Sequence, residues 1–177
     1  MEASTDTDLW VSWQDYDHAV EELALKIHQS GWRFDLILCL ARGGLRPGDI
    51  LSRVFNVPLA ILSTSSYRED HGRKQSKLDI ASQISLSNGR MAGNILLVDD
   101  LVDSGITLRE VLAALSEGFP EINEIKTAVV WYKACSVAHP DFYVRYLPSN
   151  PWIHQPFEAY DSIGPDELEA RLRKRRT

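Results

Sequence analysis

Cysteine is nearly absent: Cys39 and Cys135 are the two thiols in a chain of 177 residues. Two thiols cannot build a disulfide framework. There is no CxxC, no HExxH and no metal-spaced histidine pair. That disfavours a His/Cys metal centre and leaves a carboxylate-bound Mg²⁺ open. Cys39 sits in an apolar run and reads as a buried free thiol. Long hydrophobic runs are missing as well: none approaches the ~18 residues of a membrane span. The N-terminal MEASTDTDLW is acidic and lacks the apolar centre of a signal peptide, so a cytoplasmic protein is expected. Nor is there an excess of positive charge. Lys and Arg number 19 against 25 Asp and Glu, a net charge of -6. Nucleic acid is therefore not an expected partner, because phosphate neutralisation needs clustered basic residues. No internal repeat is present. What is there, 44% hydrophobic and 25% charged residues, is the composition of an ordinary globular domain. One domain of this length buries a core without staples.

Hydrophobic spacing gives the organisation. Residues 1–8 read as a flexible polar tail. From Trp13, steps of three and four through Tyr16, Ala19, Val20, Leu23, Ala24 and Ile27 predict an amphipathic helix ending near Gly31. Residues 34–41 form a short continuous apolar run, as suits a strand buried on both faces. A helix is predicted from Pro47 to about Val54, and a second buried strand over 57–62. Residues 63–79 are polar, aperiodic and too long for an idle connection, which predicts a lid loop. Further strands are expected over 80–86, 94–98, 125–132 and 142–147. Thr107 with Glu110 matches a capping box, predicting a helix to about Gly118. Residues 148–164, rich in proline and aromatics, read as a packed hood, and 165–177 as a basic C-terminal helix or tail. The core then spans 9–147. The alternation predicts an α/β fold: an open, mostly parallel sheet flanked by helices. Ligands of such sheets bind beyond the C-terminal strand ends.

The run Leu97-Val98-Asp99-Asp100-Leu101-Val102-Asp103-Ser104-Gly105-Ile106-Thr107 stands at one of those ends. Adjacent carboxylates at the end of a buried strand are costly unless a polyhydroxylated ligand or hydrated Mg²⁺ satisfies them. Ser104, Gly105 and Thr107 then open a helix, where backbone N–H groups and hydroxyls form an anion pocket suited to phosphate. Diol acceptors followed by phosphate donors match a ribose 5-phosphate. The plainer alternative is an Asp-rich strand end with a helix cap.

The segment 97–107 resembles the phosphoribosyl-pyrophosphate (PRPP) motif of the type I phosphoribosyltransferases. The resemblance implies that family's fold. It assigns the ribose hydroxyls and Mg²⁺ to Asp99 and Asp100, and the 5-phosphate to Asp103, Ser104, Gly105, Ile106 and Thr107. Ile106 departs from the pattern, standing where many members have a second glycine. Ala41-Arg42-Gly43-Gly44-Leu45-Arg46-Pro47-Gly48 resembles the pyrophosphate loop of the bacterial xanthine-guanine (hypoxanthine) branch. That makes Arg42, Gly43 and Gly44 candidate pyrophosphate ligands and Ala41–Arg42 a candidate cis peptide. Ser66, Tyr67 and Arg73 resemble the same enzymes' lid. Lys133 matches the lysine that meets a purine 6-oxo group, and Trp152 and Ile153 match the base-binding hood. His154 stands where an acidic residue is expected.

The resemblance spans about residues 9–160. It implies a Mg²⁺-dependent transfer of phosphoribosyl from PRPP to a 6-oxopurine (guanine, xanthine or hypoxanthine), with Asp103 as general base, in a homo-oligomer. Two rival readings use the same residues: a non-catalytic PRPP-binding regulator, for which the basic residues 171–176 speak, and a phospho-acceptor domain whose clustered Asp bind Mg²⁺.

Overall fold

The computed structural model describes residues 8–63, 84–87 and 89–174. They fall into two compact units, one from residues 19–150 and one from the two chain ends, up to His18 and from Pro151.

The larger unit is a six-stranded sheet. Its strands are β2 (Leu36–Ala41), β3 (Leu59–Ser63), β4 (Ile84–Leu86), β5 (Gly93–Val102), β6 (Ile122–Lys133) and β7 (Phe142–Leu147). Their order is β4-β3-β2-β5-β6-β7. All neighbours pair parallel except β4, which runs antiparallel to β3 at the edge. The predicted α/β class is what the chain adopts. β2 packs between β3, in register Ile37↔Leu59 to Ala41↔Ser63, and β5, in register Leu36↔Ile95 to Cys39↔Val98. The chain leaves β2 toward β3 in one direction and later leaves β5 toward β6 in the other. Right-handed crossovers therefore put the connecting helices α2 (Leu45–Phe55) and α3 (Ile106–Gly118) on opposite faces.

Each helix is held by a stripe of small or aliphatic side chains. On α3, Leu108, Val111 and Leu115 are buried against Leu36, Leu38, Leu40, Ile95, Leu97 and Val129. On α2, Gly48 faces β2, where a Cβ would stand 1.9 Å from Cys39 Sγ. Glycine there sets how closely helix and strand approach. α2 ends at Asn56, whose left-handed conformation (φ 53°) returns its N–H to the carbonyls of Arg53 and Ser52. In α1 (Trp13–Gln29), residues Ala19, Val20, Leu23, Ala24 and Ile27 are buried at the predicted spacing.

Several boundaries differ from expectation. β5 runs on through Asp99 and Asp100 to Val102, because its partner β6 is longer still, 12 residues against 10, and pairs as far as Val102↔Tyr132. α2 starts at Leu45, two residues before Pro47. Of the strand expected over 80–86, residues 84–86 are observed and 80–83 lie outside the described residues. Of the lid loop expected over 63–79, Ser63 instead ends β3, and 64–79, with Ser66, Tyr67 and Arg73, lie outside the described residues.

In the smaller unit, β1 (Leu9–Trp10) pairs parallel with β8 (Ile153–His154). Pairs this short leave no periodicity in sequence, and neither strand was foreseen. Leu9 N–H donates to Trp152 O (2.8 Å) and Val11 N–H to His154 O (3.0 Å). Trp10 stacks on His154 at 3.7 Å, and the Asp8 carboxylate meets His154 Nε2 at 2.9 Å. Ser12 and Asp15 form a reciprocal cap at the start of α1, Asp15 N–H donating to Ser12 Oγ and Ser12 Oγ to Asp15 Oδ2. A 3-10 turn (Glu158–Tyr160) precedes α4 (Pro165–Lys174), whose basic residues Arg171 and Arg173 pair with Glu167 and Glu169 one turn back.

Candidate active site

The sheet's order reverses between β2 and β5. In open α/β sheets the crevice beyond the carboxyl ends of two such strands is where ligands bind. Here β2 ends at Ala41, and a cis peptide bond joins it to Arg42. β5 carries Asp99 and Asp100 just beyond its last pairing with β2, Cys39↔Val98, and runs on to Val102. A cleft of about 390 Å³ opens at this point, lined by Ala41, Asp99, Asp100, Asp103, Ser104, Gly105 and Thr107 among others.

Glycines build the floor. A Cβ on Gly43 would stand 2.2 Å from Asp100 Oδ1, and one on Gly44 2.2 Å from Val98 O and 2.9 Å from Leu40 O. The loop after β2 can therefore lie against β5 only without side chains at these two positions. Arg42, between the cis bond and the glycines, is exposed. The two aspartates have different surroundings, as alternating strand residues must. Asp100 lies against Gly43, while Asp99 Oδ1 accepts the N–H of Asp100 at 2.9 Å. Burial, and then the charges of Asp99 and Asp49, push the Cys39 thiol up to about 12. It is a free, buried thiol, as its apolar context predicted.

The next turn departs from the capping-box expectation. Gly105, at φ 76°, is the N-cap of α3 and has no side-chain cap bond, and Thr107 lies one residue inside the helix. The turn uses a left-handed glycine, after which the first-turn N–H groups have no intrahelical acceptors, that of Ile106 donating to Ser104 Oγ at 3.4 Å. Ser104 and Thr107 line the same cleft. Ile106 is exposed at the first helical position.

β6 delivers Lys133. Its side chain is 6% exposed, and its ammonium lies 3.4 Å from Asp103 Oδ1, a carboxylate that is 56% exposed. An ammonium so desolvated needs a counter-charge, and Asp103 supplies one at the cleft's rim. Two residues that the sequence placed 30 positions apart are thus brought together. Trp152 and Ile153 belong to the other unit, Trp152 exposed and Ile153 buried opposite Leu9.

Sequence reasoning missed the turn after Lys133. Cys135 Sγ lies 3.7 Å from both the carbonyl oxygen and Oδ1 of Asp103. Val137 N–H donates to Ser104 O at 2.9 Å. A Cβ on Gly105 would meet Ser136 Oγ at 2.2 Å. The one available signal was position: residues 134–138 follow the carboxyl end of a core strand, on the ligand side of the sheet.

The profile of the phosphoribosyl transferase domain matches residues 12–162, and the chain belongs to that family. Over 154 residues it is 29% identical to the xanthine-guanine phosphoribosyltransferase of Idiomarina loihiensis, a match spanning 86% of this chain and 88% of that one. Among solved structures, the purine phosphoribosyltransferase of Pyrococcus horikoshii superposes with a TM-score of 0.66 at 26% identity, covering 85% of this chain and 93% of that one. The xanthine-guanine-hypoxanthine phosphoribosyltransferase of Helicobacter pylori shares the fold, with a TM-score of 0.68 at 18% identity over 93% of this chain and 99% of that one.

Proposed function

We propose that the chain transfers the phosphoribosyl group of PRPP to an imidazole nitrogen of a 6-oxopurine. The names of its relatives support the substrate class. The observation that carries the reading is the Lys133–Asp103 pair at the rim of the switch-point cleft, a buried donor beside an exposed carboxylate. The anomeric C–O bond breaks with its electron pair leaving on pyrophosphate. The purine nitrogen's lone pair forms the new C–N bond, and the Asp103 carboxylate takes the imidazole proton. The ammonium of Lys133 donates to the 6-oxo group. The N-terminus of α3, with Ser104 and Thr107, holds the 5-phosphate. Asp99 and Asp100 hold the ribose diol, and the Arg42-Gly43-Gly44 loop receives the pyrophosphate. By the family resemblance, Trp152, whose ring is exposed, and Ile153 are assigned to the purine. Fixing both reactants in line supplies much of the acceleration.

No cluster of three His, Cys, Asp or Glu side chains capable of caging a metal exists among the described residues. The donor set fits a Mg²⁺ that keeps its waters and is shared between one or two carboxylates and substrate phosphates, with Asp99 and Asp100 as its holders. Held there by Asp99 and Asp100, such an ion would supply charge neutralisation for the departing pyrophosphate. Among the described residues no helix is long and apolar enough to cross a membrane. A cytoplasmic homo-oligomer is part of the proposal, and sedimentation equilibrium reads its size.

A base panel tests the activity. With PRPP and Mg²⁺, guanine, xanthine or hypoxanthine should release pyrophosphate and yield the nucleoside monophosphate, while adenine should not. Preferred use of adenine refutes the role of Lys133. Turnover of no base, together with salt-dependent binding of RNA or DNA, favours a PRPP-binding regulator.

A further inference from the structure

We propose that Cys135 is a positioning residue for Asp103: its thiol and the Lys133 ammonium converge on one carboxylate oxygen, leaving the other to accept the purine proton. This inference rests on the reading of Asp103 as the general base.

Asp103 is half exposed, and a carboxylate's terminal torsion is broad, so the side chain's own rotamer does little to orient it. Two neighbours restrict it. Lys133 Nζ stands 3.4 Å from Oδ1. Cys135 Sγ stands 3.7 Å from the same oxygen and 3.7 Å from the carbonyl oxygen of Asp103, a distance suited to the weak S–H donor. The thiol thus spans the side chain and backbone of one residue.

Cys135 is itself held in place. The turn that carries it closes on itself through Ser136, whose Oγ donates to Ala138 O at 2.7 Å and accepts from Ala138 N–H at 3.1 Å. The turn is then tied to the phosphate loop by the Val137 N–H to Ser104 O bond. Gly105 packs so tightly on Ser136 that no side chain fits between them. The turn that carries the thiol is consequently fixed against the loop that follows Asp103. Cys135 is exposed, so removing its sulfur deletes little core packing.

Steady-state kinetics of Cys135→Ala, Cys135→Ser, Asp103→Asn and the double variant test this. Cys135→Ala should lower kcat roughly two- to ten-fold, the range of a single neutral hydrogen bond. The KM values for PRPP and purine and the Tm should stay at wild-type levels. Cys135→Ser, which keeps a donor, should recover most of the turnover. In the Asp103→Asn background, Cys135→Ala should have no further effect, because its action passes through that carboxylate. An impaired Asp103→Asn with an unimpaired Cys135→Ala overturns the proposal and leaves the general base standing, as does an equal loss in both backgrounds. A fully active Asp103→Asn overturns the base assignment and this inference with it. A fall in Tm that accounts for the lost activity, unrelieved by serine, also overturns it.

Discussion

The proposed chemistry rests on a few side chains whose states differ because their surroundings differ. Lys133 is almost wholly withdrawn from water, with Asp103 as an ion-pair partner at the rim. In the proposed reaction a 6-oxopurine gives the ammonium a second acceptor, whereas adenine offers an amino group where an acceptor is required. Lys133→Gln should therefore lower kcat/KM for a 6-oxopurine about 10- to 100-fold, the size of a charged hydrogen bond. The ratio of hypoxanthine to adenine turnover should fall with it. Asp103→Asn should reduce kcat while leaving PRPP affinity, measured by calorimetry, near wild type. The two thiols make a second contrast. Cys39 is buried, and burial raises it to about 12, while Cys135 is exposed. The thiolate is the reactive form. N-ethylmaleimide should modify Cys135 and spare Cys39, as peptide mass mapping would show. Labelling of Cys39 in the folded protein would contradict the packing of β2 on α2. The burial of Cys39 was legible from its apolar neighbours. The place of Cys135 was not, because nothing in the local pattern around it points across the sheet to Asp103.

At the scale of elements, the strand-to-helix turns decide what the side chains can reach. Gly105 combines a left-handed backbone with the contact against Ser136, so it meets two demands that only glycine satisfies. Gly105→Ala should weaken binding of PRPP strongly, since the left-handed strain alone is about 1–2 kcal/mol. Ser136 and Ala138 must also move aside. Gly43→Ala should displace the Asp100 carboxylate and raise the KM for PRPP with little change in Tm. The motif after β5 was recognisable in sequence, yet its local chemistry was read as a Thr107 cap. Competing demands explain the difference: Gly105 takes the N-cap place, which leaves Thr107 inside the helix, among the residues lining the cleft. Likewise β5 was expected to stop before its aspartates, but twelve-residue β6 carries the pairing further. Strand length is a property of the pair.

Across the whole molecule, the site exists because the chain reverses its direction of travel along the sheet between β2 and β5. Everything that holds those two strands level also holds the cleft open. Leu97, on the central strand β5, is 1% exposed within the main core cluster. Leu97→Ala should lower the unfolding free energy by about 2–5 kcal/mol in urea titrations. Specific activity per folded molecule should be retained, because Leu97 does not reach the cleft. Asp141 plays a comparable part at the far side, where its carboxylate accepts both the N–H and the hydroxyl of buried Thr127 at 2.8 Å.

Local chemistry was written along the chain itself. The order of apolar runs, the acidic and glycine-rich segment after β5, the Arg-Gly-Gly turn after β2 and the strand-terminal Lys133 all lie within windows of a dozen residues, where spacing and residue type carry the information. Strand order came from pairings between separate segments, and the pairing of Lys133 with Asp103, the reach of Cys135 and the joining of β1 to β8 from contacts 30 to 146 residues apart. Those contacts depend on which faces pack together in three dimensions, and no periodicity along one strand or one helix encodes its distant neighbour.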